Sequence, residues 1–278
     1  MNFANKYGQW ALVTGGSTGI GLALAKQAAS CGMNIILVAR RAELLVLAQK
    51  AIQDQYKVRV NIIELDLTLE SALEKLFEAT KNHEVGMLIP NAGIELNGLF
   101  INTSLEDNIN LLRLNVEVPM ALVHHYGRMM AVRNKGAIML ISSGFGYQAI
   151  PYIANYAASK AYILALGEAL NVEFNEFGVD VTVLSPGLTK TAMTDCSTID
   201  FNKLPVFSMT PVVVAKIGFN ALGRKASVIA GTLNKFYVWQ NRLVPRSMPV
   251  KIFGMLIRRA IKKEMRVELL CVSAGEGT

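Results

Sequence analysis

The chain has 278 residues, of which 52% are hydrophobic and 18% charged, with a formal net charge of +7. That supplies a core for one large α/β domain or two small ones and argues against disorder except at the ends. Three widely spaced cysteines, Cys31, Cys196 and Cys271, make no disulfide framework and indicate a reducing, cytoplasmic setting, and no apolar run reaches the roughly 18 residues of a membrane-spanning helix.

The N-terminal stretch reads as the approach to a first strand, WALVTG, rather than as a secretory signal. A helix follows over 19–31 and breaks at Gly32, and NIILVAR is a second strand. Residues 41–55 read as a helix with Leu44, Leu45, Ala48 and Ile52 on one face. RVNIIELDL, a helix over 69–82 and VGMLIPNAG continue the alternation. One long helix covers 104–133, GAIMLISS is a fifth strand, and a helix runs from Tyr152 to near Phe177. DVTVLSPG and SVIAG supply the last two strands. The strands are continuously apolar, as they are when helices cover both faces of a sheet. The pattern predicts a doubly wound, mostly parallel seven-stranded sheet with right-handed crossovers.

The turn after the first strand, TGGSTGIG, holds Gly15, Gly19 and Gly21 just where a helix begins. In such a sheet, ligands bind beyond the carboxyl ends of the strands. Glycine permits a tight turn and close approach of a pyrophosphate, which the free N–H groups and dipole of the helix then hold. The spacing G-x-x-x-G-x-G is neither G-x-G-x-x-G nor the NTPase loop, since no lysine follows Gly21. Taken alone, the triad fits a phosphate cradle and a simple packing turn equally.

Further motifs follow in order: PNAG at 90–93, LNV around Asn115, ISS at 141–143, YAASK at 156–160 and SPGLTKT from Ser185. Together with TGGSTGIG they resemble the motifs of the short-chain dehydrogenase/reductases over residues 8–235. The resemblance implies a Rossmann-fold dinucleotide-binding and catalytic domain over 1–238, followed by a basic amphipathic helical extension over 239–278. It also implies that Gly15, Ser17, Thr18, Gly19, Ile20 and Gly21 hold the dinucleotide. Asp66 and Leu67 face the adenine, Asn91, Ala92 and Gly93 line the adenosine side, and Pro186, Gly187, Leu188 and Thr189 meet the carboxamide end.

The end of the second strand faces the adenosine ribose. Where NAD-preferring relatives carry Asp this chain has Ala39, followed by Arg40 and Arg41. A guanidinium grips a phosphate bidentately, so the expected cofactor is NADP(H), with NAD(H) second.

Tyr156 and Lys160 are four residues apart, on one face of a helix. Of the eight tyrosines only Tyr156 has a lysine at that spacing. A nearby ammonium favours the phenolate and is expected to lower the phenol pKa, so that Tyr156 exchanges a proton with a substrate oxygen. By resemblance, Lys160 also holds the nicotinamide ribose and Ser143 hydrogen-bonds the substrate oxygen, with Ser142 as rival. Asn115 holds a water that relays protons to Lys160. The expected activity is hydride transfer to or from the carbonyl or secondary alcohol of an apolar substrate. The competing reading is a catalytically silent NADP(H)-binding regulatory protein of the same fold.

Residues 188–212 are expected to fold over substrate. Leu188, Met193, Ile199, Phe201, Leu204, Val206, Phe207 and Met209 make this lid apolar, and Tyr147, Ile150 and Tyr152 add wall. A fatty or steroid-like ketone, or a 3-oxoacyl group, suits it. His83, His124 and His125 offer no metal-ligand spacing, so no metal is expected. In the tail, Phe253, Leu256, Ile257, Ala260 and Ile261 form one stripe, with Arg258, Arg259, Lys262, Lys263 and Arg266 on the other faces. This helix packs on its own domain, on a second subunit of a homodimer or homotetramer, or on an anionic membrane surface as a peripheral contact. No nucleic-acid partner is expected, because the clustered basic residues lie in the tail and no recognised nucleic-acid fold is present.

Overall fold

A computed structural model describes residues 2–195, 198–204, 206–241 and 243–261. Cys196, Cys271, Lys262, Lys263, Arg266 and the side chain of Met193 lie outside the described residues. The chain opens with α1 (Phe3–Tyr7), where the sequence suggested only the approach to a strand. Asn2 caps it, its Oδ1 accepting from Asn5 N at 3.2 Å. Phe3 stacks on Phe219 with ring centroids 5.9 Å apart, and Lys6 and Tyr7 both donate to Asp180 at 2.7 Å. Tertiary packing and a cap hold a helix too short to form on its own propensity.

Then follow β1 (Trp10–Thr14), α2 (Gly19–Ser30), β2 (Asn34–Ala39), α3 (Ala42–Gln53), β3 (Val60–Glu64), α4 (Ala72–Thr80) and β4 (Val85–Pro90). The helix expected over 104–133 is instead α5 (Leu105–Leu112), a π-turn over Arg113–Glu117 and α6 (Val118–Val132). The interruption has a local cause. Pro119 has no N–H to bond the carbonyl of Asn115, and Val118 N bonds back to Arg113 O, five residues away. The chain continues through β5 (Gly136–Ile141), α7 (Ala154–Asn175), β6 (Val179–Ser185), α8 (Ala192–Asp195), α9 (Pro211–Ala221), β7 (Ser227–Ile229), α10 (Thr232–Gln240) and α11 (Ser247–Ala260).

All seven strands pair in parallel, in the order β3-β2-β1-β4-β5-β6-β7. Every residue of β1, β4 and β5 is buried, which is why these strands read as unbroken apolar runs. One core lies between the sheet and α1, α2, α3 and α9; a second lies between the other face and α4, α6 and α7. The order in which strands are added reverses between β1 and β4, and that switch point opens a crevice at the carboxyl ends of the strands.

A third, smaller cluster sits above the sheet edge. There Ile257, Ala260 and Ile261 pack on Ile150, Ile153, Ala157 and Ile199. Asp200 N bonds Ala260 O at 2.8 Å, and Ile199 bridges Ile261. The apolar stripe of the tail is therefore turned onto its own domain, closing the crevice from above.

Candidate active site

The turn after β1 is a cradle that only glycine can line. Gly15 and Gly19 have φ of +64° and +55°, in the left-handed region. A Cβ on Gly21 would overlap Gly15 O and stand 2.5 Å from Asn91 Nδ2. Thr18 is the N-cap of α2 and makes no side-chain cap bond, so the first amides of the helix are not taken up by it. Ser17 is buried beside it. This open amide cluster, with no room for side chains, fits a dinucleotide pyrophosphate.

Asn91 and Ala92, just beyond β4, finish the cradle. Asn91 Nδ2 donates to Thr14 O and Gly15 O at 3.1 and 3.2 Å, and Ala92 N donates to Thr14 Oγ1 at 3.0 Å. Asn91 thus ties the two strands that flank the crevice. At the other end, Arg40 stands 3.7 Å from Asp66, with 64% of its side chain exposed. Partial burial alone would push the Asp66 carboxyl up; hydrogen bonds from Thr68 N and Oγ1 outweigh it and, with Arg40, hold the group below its ordinary value. Leu67 packs into the core. Arg41 is exposed at the N-cap of α3.

Ser143, Tyr156 and Lys160 meet on one cavity of about 450 Å³, which Ile20, Asn91, Gly93 and the segment 186–189 also line. Ser142 also lines the cavity, but its hydroxyl is engaged elsewhere. Its hydroxyl is buried and donates to Lys160 O at 2.7 Å, a bond that fixes α7 against β5. Ser143 starts the next turn with its Oγ accepting from Phe145 N at 3.2 Å, and it hydrogen-bonds the Tyr156 hydroxyl. Lys160 Nζ donates to Ile141 O at 3.1 Å and lies 5.7 Å from the centroid of the Tyr156 ring.

Asn115 lies behind the lysine rather than in the cavity. Its Oδ1 accepts from Ile94 N and its Nδ2 donates to Ile94 O, both at 2.9 Å, while Nδ2 also reaches Ser159 Oγ at 3.2 Å. Ser159 in turn donates to Tyr156 O at 2.7 Å. The amide thereby locks the 93–95 segment to the helix that carries Tyr156. Ser159 was missed in the sequence, although its place three residues after Tyr156 signals a shared turn.

Glu95 was missed as well. It lines the same cavity, and its charge acts on both Tyr156 and Lys160. Burial pushes its carboxyl up to about 7, with the Lys160 cation opposing. Burial likewise pushes the Tyr156 phenol above its ordinary value; Glu95 adds to this and the Ser143 bond opposes it. The expected lowering by Lys160 is not found. Burial pushes the ammonium down to about 8 against the pull of Glu95, and its Nζ is directed at Ile141 O. A lone acid in a loop carries no periodic or motif signal, so only the fold reveals it.

The lid divides. Leu188, Phe201, Leu204 and Val206 line the cavity, while Ile199 is buried beneath α11, Phe207 is exposed and Met209 packs on the core. Of the expected wall residues only Ile150 reaches it. Tyr147 packs against the core, and Tyr152 faces a second cavity of about 590 Å³ between the 96–108 loop and α11. Tyr152 has φ +69°, and its carbonyl accepts from Gly98 N at 2.8 Å. The remaining wall comes from Val238 on α10 and Ile252, Phe253 and Leu256 on α11. Among the described residues no group of His, Cys, Asp and Glu could hold a metal.

The family model for short chain dehydrogenase matches residues 9–201. A 7beta-hydroxysteroid dehydrogenase of Clostridium sardiniense is 35% identical over 256 residues, covering 92% of this chain and 98% of its own length. A solved structure from work on 7beta-hydroxysteroid dehydrogenase stereoselectivity superposes with a TM-score of 0.84 at 30% identity, covering 91% of this chain and 99% of that one. A short-chain dehydrogenase from Sphingobium yanoikuyae in complex with NADPH gives a TM-score of 0.75 at 26% identity, over 84% and 93% of the two chains.

Proposed function

Because this chain belongs to the short chain dehydrogenase family and is an oxidoreductase acting on CH–OH groups, we propose that it transfers hydride between NADP(H) and the carbonyl or alcohol of a bulky apolar, steroid-like substrate. The convergence of Ser143, Tyr156 and Lys160 on one largely apolar cavity carries this reading. The hydroxysteroid dehydrogenase names of its relatives support the substrate class.

A bound nicotinamide dinucleotide supplies or accepts the hydride. Ser143 and Tyr156 hold the substrate oxygen between two hydroxyls. During reduction Tyr156 gives its proton to that oxygen. Its raised pKa keeps the phenol protonated at neutral pH, which suits a donor. The phenolate left behind is stabilised by Lys160, an ammonium below a pH of about 8. Asn115 fixes the 93–95 segment and α7 relative to one another, and we assign to it the water that links Lys160 to solvent.

For the cofactor, Ala39 leaves no acid at the end of β2, and Arg40 projects with most of its side chain exposed. We assign Arg40, with Ser17 and Arg41, to a ribose 2′-phosphate. Residues 1–238 form the catalytic domain in this reading and 239–278 its C-terminal extension, of which 247–260 form the helix over the cavity. A homo-oligomer is proposed through the exposed Leu105, Ile109, Leu112 and Met120 of α5 and α6, and a cytoplasmic location is proposed with it. No helix of the described residues is long and apolar enough to cross a membrane.

The test is NADPH oxidation on a panel of bulky ketones. Tyr156→Phe should retain NADPH binding and lose roughly a hundredfold or more in turnover, the scale of one general acid. A parent protein that binds NADPH and turns over no ketone would instead favour a silent binding protein. Arg40→Ala should weaken NADPH binding roughly tenfold and leave NADH binding unchanged. Equal losses for the two cofactors would remove Arg40 from the phosphate site.

A further inference from the structure

We propose that the outer faces of α10 and α11 dock on an anionic lipid surface, so that a membrane-dissolved substrate enters the catalytic cavity directly from the bilayer. The proposal rests on the apolar-substrate reading above for what enters, and on independent observations for the docking.

α11 carries two apolar stripes. Pro249, Phe253, Ile257 and Ala260 face the domain and are buried or half-buried. One position away, Met248, Ile252 and Met255 recur at helical spacing on the outer side. With Phe236 and Trp239 of α10 and Leu243 between the helices, they make a surface in which each side chain is at least 41% exposed. Met248 and Ile252 also line the catalytic cavity, so the outer apolar stripe of α11 reaches its rim.

Among the described residues, the charges along this segment of chain have one sign. Residues 201–261 contain ten Lys and Arg and no Asp or Glu. Lys235, Arg246 and Lys251 are exposed beside the patch, and among the described residues none pairs with a carboxylate. An apolar face with Trp and Phe, rimmed by cations, matches the boundary between acyl chains and anionic headgroups. A second copy suits it less well. A two-fold contact sets a patch against itself and would bring these cations together.

The experiment uses the full chain and vesicles of phosphatidylcholine with and without phosphatidylserine. The parent should co-sediment with the phosphatidylserine vesicles, and salt should release it. The chain's two tryptophans are differently placed, Trp10 buried and Trp239 exposed, so vesicles should blue-shift the emission through Trp239. Lys235→Ala/Lys251→Ala should lower partitioning roughly thirtyfold, the scale of two lysines at an anionic surface. Phe236→Ser/Trp239→Ser/Met255→Ser should abolish it, with turnover of a water-soluble ketone unchanged in both variants. The proposal falls if the parent stays in the supernatant or if the variants bind like the parent. It falls too if the serine variant turns an oligomer into a monomer in sedimentation velocity, which would give the surface to a second copy. Vesicle binding needs no turnover, so its failure leaves the proposed reaction standing, and a failed ketone assay leaves the docking standing.

Discussion

Glu95 couples to both members of the proton-transfer pair and pulls them in different directions. As a carboxylate it favours the Lys160 ammonium and disfavours the Tyr156 phenolate. Its own carboxyl is held up at about 7, so it changes charge inside the working range. Glu95→Gln removes that influence while keeping the shape. Lys160 then loses its proton below the value of about 8 it has now. Reductive kcat/KM, which needs the ammonium, should fall off at a pH lower by roughly one unit, the lower end of what one nearby opposite charge supplies. The separate step that Glu95 adds should vanish, leaving the single inflection of Lys160. A pH profile of the two proteins checks this, and superimposable curves would refute it. At this scale, legibility followed spacing. Tyr156 and Lys160 announce themselves as a pair one helical turn apart, and Ser143 follows from its distance to them. Glu95 and the turn of Tyr152 have no partner at a fixed interval in the chain, and their roles exist only once the 93–108 loop is folded beside α7.

Among the elements, the cradle depends on an absent side chain more than on a present one. The Cβ of Gly21→Ala would enter the space held by Gly15 O and Asn91 Nδ2, both part of the bonding between β1 and β4. Overpacking of this kind costs about 1–3 kcal/mol. Urea denaturation should show that loss, and NADPH titration should show weakened binding in the folded variant; unchanged midpoint and affinity together would mean that the turn relaxes freely. The alternating helices and strands could be read because each follows one period for its whole length. The π-turn at 113–117 could not, since a single missing N–H at Pro119 leaves the apolar period of the flanking helices intact. α1 escaped notice for a different reason: three of its five residues are buried, but by contacts with α9 and β6 that lie far along the chain.

For the molecule as a whole, the sheet and its crevice follow from strand-length apolar runs, and the proposed seat of the dinucleotide follows from the sheet. The cover does not. One stripe of α11 was visible as a helical repeat, but its mate at 248, 252 and 255 adjoins it on the same helix and widens the apolar face beyond what the domain covers. Only the packing of Ile257 and Ala260 against Ile153 and Ala157 tells which stripe faces inward.

The amide of Asn91 closes the glycine turn by bonding the carbonyls of Thr14 and Gly15, across more than seventy residues of chain. During synthesis the first three strands leave the ribosome with that turn unfinished and the inner edge of β1 bare. Nucleotide therefore has no completed seat to bind in the nascent half-sheet, and it cannot act as a template for folding until residue 92 has emerged and docked.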